Sequence, residues 1–333
     1  MNLDKKSRIR GALIGAAYGD AFGMPSETWT PEKIKEKFGY IDDFLPGDED
    51  NEISRGFRPG EVTDDTINMI FVIEMLAETD GEVRPEIFIQ KLRKWAGEQE
   101  KSKSVIGPST AAAFAKLDQG VPMEITGRNG VTNGGAMKIL PVGLLYGDKD
   151  MEVLAEQVQK LCMPTHNTSC AISAACAVAA AAGKALQGEE SLEKILAYGA
   201  EGAKAGESRG YKVCSPSVAR RIRLAAKIAG QEKKPAEILK DLYEIIGTGL
   251  ASAESIPAAL GILALGRGNP VLCARYGANI GGDTDTIGAM ACGICGTYMG
   301  DGIFDEQEIR LLEKVNGINF DQLTDMLLSL KSC

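Results

Sequence analysis

The stretch Gly281-Gly282-Asp283-Thr284-Asp285-Thr286-Ile287-Gly288 constrains the fold more than any other. Its paired glycines permit a tight bend, or a close approach of the backbone to another group. Two carboxylates and two hydroxyls follow at once, and an apolar run of small residues then reaches Tyr298. The pattern reads as a buried helix with an acidic cluster for its first turn. Hard oxygen donors gathered on one turn suit Mg²⁺, Mn²⁺ or Ca²⁺ better than a soft metal. Capping is the plainer reading, because Asp and Thr both close helix N-termini; a cap uses one such residue, however, and this turn carries a run of them.

A second stretch repeats the grammar. Glu61-Val62-Thr63-Asp64-Asp65-Thr66 leads into a mostly apolar segment ending at Leu76. Two such clusters, each heading a buried helix, can converge on one binuclear oxygen-ligand site. They lie near opposite ends of the 333-residue chain, so a shared site would draw most of the polypeptide into one compact domain.

Apolar residues at helical spacing predict helices over 7–17, 31–38, 85–97, 111–117, 136–146 and 151–161, with Pro141 as a kink. Thr165-His166-Asn167-Thr168 is read as opening a long alanine-rich helix that ends near Gly183. Further helices are expected over 191–205, 217–229, 235–246, 256–265, 270–278, 306–315 and 321–330. No run of alternating strand residues and no fixed-period repeat occurs. The expected fold class is therefore all-α, a single domain of roughly a dozen or more helices.

Glycines and Pro25 are read as ending the first helix in a compact loop that carries Asp20 and Glu27. Residues 39–60, rich in Gly, Pro, Asp and Glu, are expected to form a long surface loop, with closure as a lid left open. Gly127–Gly135 is glycine-rich; its amides either cradle a phosphate or serve an ordinary flexible connection. His166, the only histidine, either lines a pocket or is structural.

A net charge of −9, from 37 basic and 46 acidic residues, argues against nonspecific nucleic-acid binding and against an anionic membrane surface. The N-terminal residues lack the apolar core of a secretory signal. The longest apolar run, Cys170 to Gly183, is read as too short and too weakly hydrophobic to span a bilayer, so a cytoplasmic location is expected. Cys292 and Cys295 form a C-x-x-C, but with no second such pair and one histidine a zinc site is poorly supported. They are expected to be small core residues.

Taken in order, Gly19-Asp20-Ala21-Phe22-Gly23 with Glu27, Thr63-Asp64-Asp65-Thr66, Asn133-Gly134-Gly135-Ala136-Met137-Lys138, Thr165-His166 and Gly281-Gly282-Asp283-Thr284-Asp285-Thr286 resemble the motifs of the ADP-ribosylglycohydrolase family. The resemblance runs from about Arg8 to about Gly300 and leaves the C-terminal segment 301–333 unassigned. It implies a single orthogonal all-α domain with two divalent cations, Mg²⁺ (or Mn²⁺), at the bottom of a ligand cleft. Thr63, Asp64 and Asp65 would ligate metal from one side, and Asp283, Asp285 and Thr286 from the other. Asn133, Gly134, Gly135, Ala136 and Met137 would wrap a diphosphate and ribose, with His166 close by. Glu27 matches a residue with an acid/base role, Asp64 and Asp285 join it as catalytic candidates, and Asp20 would fix a loop.

Two departures stand out. Members that release ADP-ribose from arginine carry an acidic residue just before an Ile-Gly pair; here Val105 precedes Ile106-Gly107. The usual Arg after Ala-Met is Lys138. The expected activity is hydrolysis at ribose C1″ of an ADP-ribosylated protein or small molecule. The alternatives are cleavage of a nucleoside or other N-riboside, and non-catalytic ADP-ribose binding. No nucleic-acid or membrane partner is expected, and a monomer is.

Overall fold

The computed structural model describes residues 3–98 and 105–330. It is 69% helical with no strand among them, as expected of an all-α chain. At its centre the opening helix, Lys5–Gly23, runs antiparallel to Thr284–Met299, the helix headed by the acidic turn. Gly11, Gly15, Gly19 and Gly23 recur every fourth residue and so share one face. A β-carbon added at Gly15 would lie 2.2 Å from the Cys292 carbonyl oxygen, and one at Gly23 would lie 2.3 Å from that of Thr284. The backbones of the two helices touch along this seam, which fastens the start of the chain to its last third.

This seam corrects the sequence expectation. The first helix does not end at residue 17, and Asp20 lies on the helix, not in a loop. Glycine inside a helix costs about 1 kcal/mol, which reads locally as a stop signal. Here the missing side chains permit contact along four turns, and that packing outweighs the propensity.

The alanine-rich helix spans Ser169–Leu186, longer than the sequence run suggested, and its length and mean hydropathy of 1.5 would suffice to cross a membrane. Within the fold it is 83% buried. Thr168 caps its start, its hydroxyl accepting from Ala171 N at 3.3 Å. His166 therefore does not open it; His166 ends the preceding helix, Met151–His166, which accommodates Pro164. Asn133–Gly135 forms one 3₁₀ turn, and the following helix is only Leu140–Tyr146. Pro141 falls in its first turn, where no amide proton is needed, so the expected kink is absent.

Residues 39–60 have no regular helix, yet they are more than a surface loop. Ile41, Phe44, Asn51, Ser54 and Phe57 are buried. Asn51 Nδ2 donates to the carbonyls of Glu27 (3.0 Å) and Pro25 (3.3 Å), so the segment holds the Glu27 turn from behind. The C-terminal helices Glu306–Asn316 and Phe320–Ser329 brace the same region. Asn316 donates to Gly60 O at 2.8 Å and accepts from Val62 N at 3.0 Å, just ahead of Thr63. Cys292 and Cys295 are buried and unbonded to each other, as core residues should be; the Cys295 sulfur instead lies 3.5 Å from that of Cys273.

Candidate metal centre and ligand cleft

Asp20 is fully buried and organises the first acidic cluster from the neighbouring helix. Its Oδ1 accepts from Thr63 N at 3.0 Å; its Oδ2 accepts from Thr66 N at 3.0 Å and Thr66 Oγ1 at 2.5 Å. These satisfy donors at the start of the helix Asp64–Glu78 that have no partner inside it. Asp20 thus fixes the loop, as the family resemblance implies. Burial raises its pKa to about 6 although its hydrogen bonds pull the other way.

The second cluster is pinned by backbone. Gly281 and Gly282 hold φ of 84° and 83°, in the left-handed region. Gly282 exchanges bonds with the Glu27 turn, accepting from Thr28 N at 2.7 Å and donating to Trp29 O at 2.8 Å. Asp283 N donates to Thr248 O at 2.7 Å. Thr28, β-branched, holds φ of 65° beside Glu27, a strained setting that the pairing with Gly282 sustains.

These devices bring the distant clusters together. Thr286 Oγ1 donates to Asp65 Oδ2 at 3.3 Å, and Thr63 Oγ1 reaches the same oxygen at 3.4 Å. Glu27, Asp283 and Asp285 each offer a buried carboxylate oxygen, all within 4.8 Å of one another. Asp64 joins the wall, its Oδ2 taking a bond from Asn68 at 3.3 Å. Glu27 was expected only for acid/base work; the structure also makes it a third carboxylate beside Asp283 and Asp285.

So many buried carboxylates repel one another. Burial, then Asp20 and Asp283, lift Asp64 to about 8. Burial and neighbouring carboxylates likewise push Glu27, Asp65 and Asp285 well above the usual carboxylate range. Asp65 Oδ1 and Asp285 Oδ1 are buried without a hydrogen-bond partner. Buried carboxylate oxygens with no partner call for cations. The donors are all carboxylate or hydroxyl oxygens, so the residues present fit a hard divalent ion.

A narrow cleft opens over this wall, lined also by Val105, Pro108, Thr132, Gly134, Met137, His166 and Leu250. Asn133 does not present its amide to the cleft as a free donor: Nδ2 is bonded to Asp283 Oδ2 and, at 3.0 Å, to Ser255 Oγ. Gly135 and Ala136 do not line it, and Ala136 is a core residue. Gly134 and Gly135 lie flat against the His166 side chain; a β-carbon on Gly134 would sit 2.8 Å from the ring. His166 is buried, which pushes its pKa well below the usual histidine range, so the ring is neutral. Sequence reading missed Thr132, Ser109 and Ser255. Their only signal is hydroxyl chemistry near glycine-rich loops, which is too common to select them.

The profile of the ADP-ribosylglycohydrolase family matches residues 1–332. The chain belongs to the ADP-ribosylglycohydrolase family. The YegU protein of Escherichia coli (strain K12) is 35% identical over 324 residues, covering 97% of either chain. The ADP-ribosylhydrolase ARH3 of Homo sapiens is 27% identical over 332 residues, covering 88% of this chain and 86% of that protein. A solved ADP-ribosylglycohydrolase-related protein complex shares the fold, with a TM-score of 0.72, 23% identity and 98% of both chains covered. The family match runs past Gly300, so the C-terminal helices, unassigned from sequence, lie within the ADP-ribosylglycohydrolase match. Val105, the departure noted from the family pattern, lines the cleft.

Proposed function

We propose that this protein hydrolyses the bond at ribose C1″ of an ADP-ribosylated substrate, using divalent cations and releasing ADP-ribose. The observation that carries the reading is one cleft lined by Asp64, Asp65, Asp283, Asp285 and Thr286 together with Gly134, Met137 and His166. Asp65, Asp285 and Thr286 are the foremost candidates to hold the metal, with Thr63, Asp64, Asp283 and Glu27 around them. Such cations, when bound, supply Lewis acidity toward the ribose hydroxyls.

The residues of the chain do the rest. The C1″–N or C1″–O bond breaks, a water oxygen bonds to C1″, and the leaving atom takes a proton. The Glu27 carboxyl, raised by burial and by its neighbours, is the group placed to carry that proton at its Oε atoms. The ionised aspartates stabilise positive charge growing on the ribose ring. Leu250, Val105 and Pro108 give the cleft an apolar rim that limits water.

Val105 favours a second reading for the leaving group. Without a carboxylate there, the cleft lacks the feature of arginine-directed relatives, and a smaller N-riboside becomes the competing substrate. Assaying ADP-ribosyl-arginine, ADP-ribosyl-serine, O-acetyl-ADP-ribose and free nucleosides with Mg²⁺ or Mn²⁺ separates them. Release of ADP-ribose supports the first reading, and release of free ribose from a nucleoside supports the second. Tight ADP-ribose binding with no turnover on the whole panel would reduce the protein to a binder.

A further inference from the structure

Lys138 is 2% exposed and stands behind the cleft wall. Its ammonium donates to Gly134 O at 2.7 Å and to Thr165 Oγ1 at 3.5 Å, and it lies 5.0 Å from the centre of the Phe88 ring. A carbonyl, a hydroxyl and a π face account for three N–H bonds. No carboxylate is paired with it among the described residues, an unusual setting for a buried cation. Burial lowers its pKa to about 8, so near neutrality it is still mainly charged.

From Lys138 the contacts continue in one line. Thr165 Oγ1 lies 2.7 Å from His166 Nδ1, His166 Nε2 lies 2.9 Å from Thr132 Oγ1, and Thr132 Oγ1 lies 2.9 Å from Ser109 Oγ. Each hydroxyl has one proton, and a neutral imidazole has one. The tautomer is therefore set by whatever fixes the first link.

We infer that Lys138 is a positioning residue that locks His166 in the Nε2–H tautomer and so aims a chain of O–H donors toward the cleft. The ammonium can only donate, so it occupies a lone pair of Thr165. Among the described residues, the other hydrogen bond of that hydroxyl goes to His166 Nδ1, which receives its proton. His166 then keeps its proton on Nε2 and gives it to Thr132. Thr132 gives its own to Ser109, whose hydroxyl hydrogen has no partner among the described residues and which sits between Pro108 and Thr110 of the cleft lining. A neutral amine at position 138 would remove that bias and permit the reverse order.

The consequence for binding rests on the ADP-ribosyl reading: donors turned outward suit phosphate oxygens. The lock itself does not, because it exists in the free protein. His166 is the only histidine, so protein grown with heavy-nitrogen-labelled histidine gives a single imidazole pair by NMR. The expected spectrum of the free wild type shows Nε2 protonated and Nδ1 bare. Lys138→Met should move the proton to Nδ1 or produce a mixture, and Lys138→Arg, which keeps a charged donor, should hold the wild-type form. Protonated Nδ1 in the wild type would overturn the inference, and that spectrum needs no variant to fold. An unchanged tautomer in folded Lys138→Met would overturn it equally. Calorimetry with ADP-ribose gives the second arm, with affinity expected to fall about ten-fold in Lys138→Met. A wild type that keeps Nε2–H but does not bind ADP-ribose would support the lock and strike the ADP-ribosyl reading instead.

Discussion

Gly19 and Gly288 meet backbone to backbone: a β-carbon on Gly19 would lie 2.1 Å from the Gly288 carbonyl oxygen. No rotamer change relieves such a contact, because the obstacle is main chain. Gly19→Ala must push apart the two helices that carry Asp20 and Asp285.

Gly19→Ala is therefore expected to destabilise the protein by about 3 kcal/mol or more, the upper range for overpacking a core. Gly302→Ala is the matched control, since nothing lies within 4 Å of its β-carbon position. Denaturant midpoints compare the two. Equal midpoints would mean that the helices can separate freely.

Asp20→Asn should damage the site without touching its ligands. An amide NH₂ in place of one oxygen would face a donor, Thr63 N or the Thr66 pair. The loss is expected to be about 1–3 kcal/mol of stability, with weaker metal binding alongside. Thermal melts with and without Mn²⁺ test it, and a variant that melts and binds like wild type would contradict it.

These two relationships differ in how far the sequence announced them. The convergence of Thr63–Asp65 with Asp283–Thr286 was legible, because carboxylates heading apolar helices need a partner that neither helix supplies. The glycine seam was misread, although four glycines at a spacing of four stand in plain view. Local propensity marks glycine as a breaker, and only the facing helix reveals it as a contact surface. The place of His166 was lost for a related reason: Thr168 caps the next helix two residues later, and the boundary between two abutting helices leaves little trace in periodicity. The approach of Glu27 to Asp283 and Asp285 depends on the Thr28–Gly282 hydrogen bond, a pairing across most of the chain that no local pattern encodes. Asn133 lines the cleft, but its amide is turned to Asp283, a detail fixed by packing alone.

The raised carboxyls give the metal-free protein a definite pH response. Asp20 stands at about 6 and Asp64 at about 8, above the unfolded value near 3.9. A carboxyl raised by folding makes the protein lose stability as pH rises from its unfolded pKa to its folded pKa, where the loss is complete. Metal-free protein should therefore lose stability as pH climbs from about 4, with the Asp20 part complete by about 6 and the Asp64 part by about 8. Saturating Mn²⁺ should remove the loss, so the metal-induced rise in Tm grows over the same window. A Tm of stripped protein that is flat or rising across it would contradict this.

The central question is whether carboxylates from both ends of the chain hold the same ions. Calorimetric titration of Mn²⁺ into chelator-stripped wild type, Asp65→Asn and Asp285→Asn answers it, with far-ultraviolet circular dichroism confirming that each variant is folded. The wild type should bind Mn²⁺, and each substitution should weaken binding by about 100-fold or more and abolish turnover. A wild type that takes up no Mn²⁺, or a folded variant of either aspartate that binds it as the wild type does, would contradict a shared centre.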